Sequence, residues 1–286
     1  MLYRDLDFKK DLDEIVSLIN MNLDPLYTKE LILWKHLNNP FGRSIAMVAI
    51  EDEKIVGVVF YMRYNFLDST GKLIKSIRPL DVCTDKSQRG KGIFKILLQK
   101  CLENATDFEI LFSTPNQKSY PEFIKLGWQP LRREYFFCVA ILVYNRYNKL
   151  NLKLFNIDKS ITEEFIISKD ILEFIKWRYD QDYHVKYFTS DRRTNFIIYR
   201  ISKLKKVKCI VLCDYIGDEN QLNVALNAVC KIERISIVYF LNNNVSKKIN
   251  FLITKKLNKA IIIYKENSFK LDNPLLITLS DIEGRL

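Results

Sequence analysis

The sequence predicts an α/β (α+β) fold in two similar halves, each a mixed, mostly antiparallel sheet flanked by helices. Three observations carry this expectation. At 286 residues the chain is long for one domain, about 150 residues per domain being usual. Stretches with helical apolar spacing alternate with apolar runs bounded by turn residues, in the order helix, helix, three strands, helix, strand, helix, strand. The second half then repeats that order with diverged residues, which marks an internal repeat.

Leu12, Ile15, Val16 and Ile19 fall on one helical face, and NMNLDPLYT ends that helix. A second helix is expected over 29–37, closed by the turn residues of NNPFG. Three antiparallel strands follow in SIAMVAIEDEKIVGVVFYMRYNFL and KLIKSIRPLDVCT, parted by EDEK and DSTGK. A helix over 92–104, a strand in FEILFST, a short helix in KSYPEFIKL closed by Gly127 and a strand in LRREYFFCVAILV complete the half. The polar, unpatterned stretch 144–153 places a boundary between domains 1–145 and 146–286. Beyond it FIKWRYDQDYHVKYF echoes LILWKHLNNPFGRSI, with Trp177 in the place of Trp34. Strands in TNFIIYRI, KKVKCIVLCDYI and ISIVYFL are expected around a helix in ENQLNVALNAVC, with a last helix in SKKINFLITKKL.

With 48% hydrophobic and 28% charged residues the composition is globular, which excludes disordered and fibrous classes. The net charge of +11 points to phosphorylated small molecules, nucleic acid or an acidic membrane. A lysine-rich compositional bias beside abundant Ile and Asn gives the same excess without any partner. The basic residues are spread along the chain and form no nucleic-acid motif, so no nucleic-acid partner is expected. The six cysteines form no CxxC pair and sit in apolar segments, as buried free thiols in a reducing cytoplasm do. MLYRDLDFKKDLDEI lacks the apolar core of a signal peptide, and no uncharged run reaches about 18 residues, so neither secretion nor membrane insertion is expected. No metal is expected, and the oligomeric state stays open.

Chemistry concentrates in DKSQRGKGIFKILLQKCL, residues 85–102. Glycines allow a loop to fold tightly against a ligand, and the free amides and dipole of the following helix favour an anion such as a pyrophosphate. Arg89 and Lys91 add positive charge at the same place. A P-loop is excluded because Asp85 stands where its first glycine belongs, and a GxGxxG fingerprint because Lys95 stands where the third belongs. A plain polar loop before a helix satisfies the same pattern.

VCTDKSQRGKGIFKILLQKCL resembles the acyl-CoA-binding motif of the GNAT N-acyltransferase superfamily, and LFSTPNQKSYPEFIKLGWQPL resembles the strand, Asn, helix and Gly-aromatic segment that follows it there. The resemblance covers about residues 1–145, and the tandem arrangement is similar to two-lobed members that acylate nucleotide-linked amino sugars. It implies a sheet splayed at the acyl-CoA site, with backbone amides of Val82, Cys83 and Thr84 around the thioester carbonyl. It places the pyrophosphate on Gln88, Arg89, Gly90, Lys91 and Gly92, and the pantetheine arm against Asn116. Ser87 and Lys86 depart from the motif, and Phe123 stands where many members have the tyrosine that protonates the departing thiolate. Tyr120, one helical turn earlier, is the candidate acid or else a packed core residue. Asp81 is the candidate base or amine-positioning group, or else an ion-pair partner of Arg78. His36, with Asn39 and Phe41, falls in the loop that builds part of the family's acceptor site, or else only ends a helix.

The matching junction of the second half, VLCDYIGDENQLNVAL, has the single glycine Gly217 and the acids Asp214, Asp218 and Glu219. Acids there repel a pyrophosphate, so one acyl-CoA site per chain is expected, with the second domain a scaffold and possible acceptor-site wall. Arg192 and Arg193 form a basic patch that meets an acceptor phosphate or only water. The resemblance implies transfer of an acetyl or small hydroxyacyl group from acetyl-CoA or 3-hydroxybutanoyl-CoA to the amine of a dTDP-linked 3-amino-3,6-dideoxy sugar. That chemistry belongs to surface-polysaccharide biosynthesis such as O-antigen of lipopolysaccharide. Another small or protein amine as acceptor, or a non-catalytic acyl-CoA sensor, remains the alternative.

Overall fold

The computed structural model describes all residues except 24–25, 68–72, 146, 156–168, 180–182, 192, 268–274, 276 and 283–286. Arg192 of the basic patch lies outside the described residues. The fold is α/β, with two seven-stranded, mostly antiparallel sheets and helices against them.

The first unit runs β1 (Leu2–Asp5), α1 (Leu12–Asn22), α2 (Lys29–His36), β2 (Ile45–Glu51), β3 (Lys54–Leu67), β4 (Leu73–Thr84), α3 (Ile93–Glu103), β5 (Ile110–Ser113), α4 (Tyr120–Lys125) and β6 (Gln129–Pro130). The period-2 pattern of β3 explains its place in the middle. Val58 and Phe60 point to the face where Ile15, Ile19 and Ile32 of α1 and α2 pack. Val59 and Tyr61 point to the face where Leu97, Leu98 and Cys101 of α3 pack. Thr28 starts α2 by accepting the Leu31 N–H on its hydroxyl at 3.2 Å.

The second unit comprises β7 (Tyr135–Ile141), β8 (Lys153–Leu154), α5 (Lys169–Arg178), β9 (His184–Ser190), β10 (Arg193–Leu204), β11 (Val207–Ile216), α6 (Leu222–Glu233), β12 (Ile237–Leu241), β13 (Ile253–Ala260) and, after the last strand of the other sheet, α7 (Leu279–Ile282). That last strand, β14 (Ile263–Glu266), belongs to the first sheet, where it lies between β5 and β6. The sheet orders are β1-β2-β3-β4-β5-β14-β6 and β13-β7-β12-β11-β10-β9-β8.

The strands therefore do not divide at residue 145. β7, expected in the first half, pairs antiparallel with both β12 and β13, and β14 pairs with β5 over four residues. The compact units are Met1–Arg132 with Ile261–Leu275, and Arg133–Ala260 with Leu276–Leu286. The polar stretch 144–153 is no linker: Leu150, Leu152 and Tyr144 pack on the second core. The helix expected in SKKINFLITKKL is also corrected. Only a short 3₁₀ turn, Val245–Lys248, precedes the strand β13, because its backbone finds a ladder along β7 that outweighs a lysine- and leucine-rich helical preference.

Candidate active site

In the first sheet β4 pairs with β3 along its length but with parallel β5 only at Ser76–Ile110 and Ile77–Leu111. Past Ile77 the two strands part, so the last residues of β4 have one free side. A bulge sits in that free half: Val58 pairs with Cys83 and Phe60 with Leu80, leaving Val59 opposite both Asp81 and Val82. Asp85 donates its N–H to Val56 O at 2.9 Å. Antiparallel alternation then turns the Thr84 N–H away from β3, toward the gap left by β5. The Cys83 side chain is core, its thiol pushed up to about 12 by burial, so that residue offers the site only backbone.

The loop after β4 combines glycines, exposed cations and a helix start. Asp85 accepts the Ser87 N–H and hydroxyl at 2.8 and 2.6 Å, fixing the first turn. Gly90 and Gly92 have φ of +84° and +77°, and a Cβ added at either would meet no atom within 4 Å. These glycines serve backbone conformation, and the space before them is open. Gly92 begins α3 without a side-chain cap, which leaves the first amides of the helix to a ligand. Lys91 bonds Gln88 Oε1 at 2.6 Å, and Arg89 reaches Thr84 O and Asn22 O at 3.3 Å each. Both cations are exposed. Asn116, also exposed, accepts the N–H groups of Lys118 and Ser119 at 2.9 Å each on Oδ1, so it shapes the turn into α4.

Under the bulge lies a buried polar network. Ile32, Lys35 and His36 share the inner face of α2 by their i, i+3, i+4 spacing. The Lys35 ammonium lies 3.2 Å from Asp81 Oδ2, with side chains 1% and 4% exposed. Tyr27 donates its hydroxyl to Asp81 Oδ1 at 2.5 Å, and His36 Nε2 lies 3.0 Å from Oδ2. His36 Nδ1 meets Ser44 Oγ at 2.9 Å, and its ring stacks on Phe60 at 3.9 Å between centroids. Burial would raise the Asp81 pKa, yet the Lys35 charge and the His36 and Tyr27 bonds outweigh it and hold the carboxyl well below the usual range. Burial pushes His36 down against the pull of Asp81. The ring is then neutral, with Nε2–H donating to the carboxylate and Nδ1 accepting the Ser44 hydroxyl.

This geometry revises several expectations. Asp81 pairs with Lys35; Arg78 instead donates to Thr114 Oγ1 at 2.9 Å and lies over the Phe112 ring. A carboxylate with lowered basicity and its oxygens already bonded is a poor proton acceptor. His36 is fully buried, and Asn39 spends its amide on Arg63 O and the Phe41 N–H, so neither presents an acceptor-facing group. Phe123 packs edge-on against Phe94 and Trp128. Tyr120 is half-buried at the start of α4 and rests on the same core. Lys35 and Tyr27 escaped the sequence reading; the available signal was a lysine three residues after the core residue Ile32. Trp34, on the same helix, is half-buried.

The second unit repeats the plan with other chemistry. β11 and β12 pair only at Ile210–Val238 and Val211–Tyr239, and Cys213 is the bulged residue. Its loop is closed by its own carboxylate, Asp218 accepting the Asn220 N–H at 3.0 Å. Asp214 accepts the Tyr179 hydroxyl and the Tyr215 N–H at 2.7 Å each, while burial, then the Asp281 carboxyl, push it up to about 7. The folded state thus keeps a proton that the unfolded chain releases near pH 4, so this group's contribution to stability falls between about pH 4 and 7. Asp214→Asn removes the charge, and its stability relative to the native protein is expected to rise from pH 5 to pH 8 in urea unfolding. A difference independent of pH would overturn the assignment.

Among the described residues no cluster of His, Cys, Asp or Glu could hold a metal ion, and no helix is long and apolar enough to cross a membrane. Residues 3–130 match the family described as Acetyltransferase (GNAT) domain. No curated protein matches the chain in sequence. Among solved structures, a GCN5-related N-acetyltransferase from Anabaena variabilis superposes with TM-score 0.71 at 11% identity, over 93% of this chain and 72% of that one. A GCN5-related N-acetyltransferase from Kribbella flavida gives 0.69 at 10% identity, over 93% and 71%. A fungal GCN5-related glucosamine N-acetyltransferase region of a multi-domain GH3 β-N-acetylglucosaminidase gives 0.56 at 14% identity, over 92% of this chain and 38% of that one.

Proposed function

We propose that the chain, whose residues 3–130 match the Acetyltransferase (GNAT) domain family, is an acyl-CoA-dependent N-acyltransferase acting on the amine of a nucleotide-linked amino sugar. The observation that carries this is the open Gly90–Gly92 cradle at an uncapped helix start, beside a strand that has parted from its neighbour. Gln88, Arg89, Gly90, Lys91 and Gly92 hold the pyrophosphate of coenzyme A, and Asn116 borders the pantetheine arm. The Val82 and Thr84 amides face the thioester oxygen.

The acceptor nitrogen attacks the carbonyl carbon, and the oxyanion that forms is held by those amides. As the carbon–sulfur bond breaks, Tyr120 gives its proton to the thiolate, and the proton of the new ammonium leaves through water. Asp81 and His36 support the backbone and take no proton. The second unit, with carboxylates in its loop, holds no acyl-CoA.

The acceptor is a dTDP-linked 3-amino-3,6-dideoxy sugar of surface-polysaccharide synthesis, and the donor is acetyl-CoA or 3-hydroxybutanoyl-CoA. A charge of +11 suits an intact nucleotide sugar, and the fungal region of the same fold is described as acting on glucosamine. Six buried free thiols suit a cytoplasmic enzyme.

Release of free CoA thiol from both donors, with a panel of dTDP- and UDP-linked amino sugars, tests this. Release that depends on one nucleotide sugar is expected. Release only with another amine would replace the acceptor, and binding without any turnover would favour an acyl-CoA sensor. Tyr120→Phe is expected to lower kcat about 100-fold with the acetyl-CoA KM unchanged, the usual scale for a lost general acid. An unchanged kcat would return Tyr120 to packing.

A further inference from the structure

We propose that Tyr27, Lys35 and Ser44 are positioning residues for acyl transfer: with His36 they hold the Asp81 side chain, and through it the strand bulge whose backbone receives the thioester carbonyl. The inference rests on the reading of the chain as an acyl-CoA-dependent transferase, and it adds residues that touch neither substrate.

Asp81 has φ of +51° inside β4. Every other described non-glycine residue with positive φ lies in a turn, a bend or at a helix end. Side chains are disfavoured in that region, so the surroundings must over-determine it. They do so through the side chain. Tyr27 Oη at 2.5 Å, Lys35 Nζ at 3.2 Å and His36 Nε2 at 3.0 Å converge on one carboxylate from α2 and the segment before it. Ser44, ahead of β2, fixes the far nitrogen of His36 at 2.9 Å and so its tautomer. The Asp81 side chain is 4% exposed although the residue as a whole is half-buried, so what reaches the surface is backbone. That backbone lies past the last β4–β5 pair, where the thioester would sit.

The second unit is an internal control. β11 too is bulged beyond its last pair with β12, and Asp214 there is tied to Tyr179, just after α5. Yet Asp214 has no ion-pair contact among the described residues, the buried Arg178 acting on it only as a nearby charge, no residue of β11 has positive φ, and carboxylates replace the loop cations. The left-handed residue, the direct ion pair to the bulge carboxylate and the cationic loop occur together in one unit and are missing together from the described residues of the other. A network needed only to fold this sheet type would be expected in both.

Infrared spectra of acetyl-CoA labelled with carbon-13 at the carbonyl, bound to the native chain and to Tyr27→Phe and Ser44→Ala, test the inference beside calorimetric titration with unacylated CoA. The native protein is expected to lower the carbonyl stretching frequency relative to free acetyl-CoA. Each variant is expected to lose part of that shift while its affinity for CoA stays native, and to show a kcat about tenfold lower, or about 1.4 kcal/mol of barrier. The two variants each remove a single hydroxyl, so either one alone supplies the comparison. Variants that bind CoA and keep the full shift overturn the inference and leave the transferase reading standing, as does a native chain that binds CoA with no carbonyl shift. Variants that lose CoA affinity together with the shift also overturn it, because the network would then serve general folding. A native chain that binds no CoA overturns the transferase reading and the inference with it.

Discussion

Gly90→Glu is expected to abolish acetyl-CoA binding. Gly90 has φ of +84°, where a side chain costs about 1–2 kcal/mol. The open space before it is the space a pyrophosphate would fill, so the new carboxylate adds repulsion where Arg89, Lys91 and the start of α3 offer attraction. The strain weakens the loop with or without ligand, so the loss of affinity comes from the side chain and its charge in the pyrophosphate's space; at about 1.4 kcal/mol per tenfold it is expected to exceed about 100-fold by calorimetry. Gly90→Asn separates them, since asparagine tolerates the left-handed region and carries no charge; it is expected to retain most of the affinity. Unchanged binding in the Glu variant would place the pyrophosphate elsewhere.

Lys35→Met is expected to destabilise the first unit by about 3–5 kcal/mol, the range for breaking a buried ion pair from one side. The pair is no surface bridge: Lys35 is 1% and Asp81 4% exposed, and methionine keeps the stem of the lysine while leaving the carboxylate unpaired. The pH dependence identifies the cause. In the native protein the Asp81 pKa is depressed, so its stabilisation is complete above the unfolded value near pH 4 and is lost as pH falls through the lower folded value. Without Lys35, burial dominates, the carboxyl is raised, and stability should instead fall as pH rises above about 4. His36 contributes on the acid side in both proteins: its folded pKa is lowered, so stability declines as pH drops below about 6.5. Adding Asp81→Asn to Lys35→Met should restore most of the loss. A single variant within about 1 kcal/mol of native in urea unfolding would contradict the buried pair.

The Gly90–Gly92 loop was legible because its features are local. Two glycines, two cations and a following helix are consecutive residues, and their backbone angles follow from residue type. The helices α1, α2 and α3 and the meander β2–β4 were legible for the same reason, since a period of 3.6 or 2 is written in neighbouring positions. Sequence by itself thus determined the run of elements from α1 to α4 and the repeat, while β1, β6 and β14 escaped it.

Only the tertiary structure decided which strands share a sheet and which charges meet. β7 and β14 each pair with strands far away in sequence, and no local pattern marks an apolar strand as belonging to one sheet or the other. The strand β13 shows the same limit, its helical composition overridden by a ladder along β7. The Asp81 network is the sharpest case. Tyr27, Lys35, His36, Ser44 and Asp81 span more than fifty positions, an isolated lysine in a sequence reads as solvated, and the nearest cation in sequence to Asp81 is Arg78 rather than its actual partner. Burial becomes tolerable for Lys35 and Asp81 only because the fold brings the other in, and the energy of that pairing resides in the distance between them.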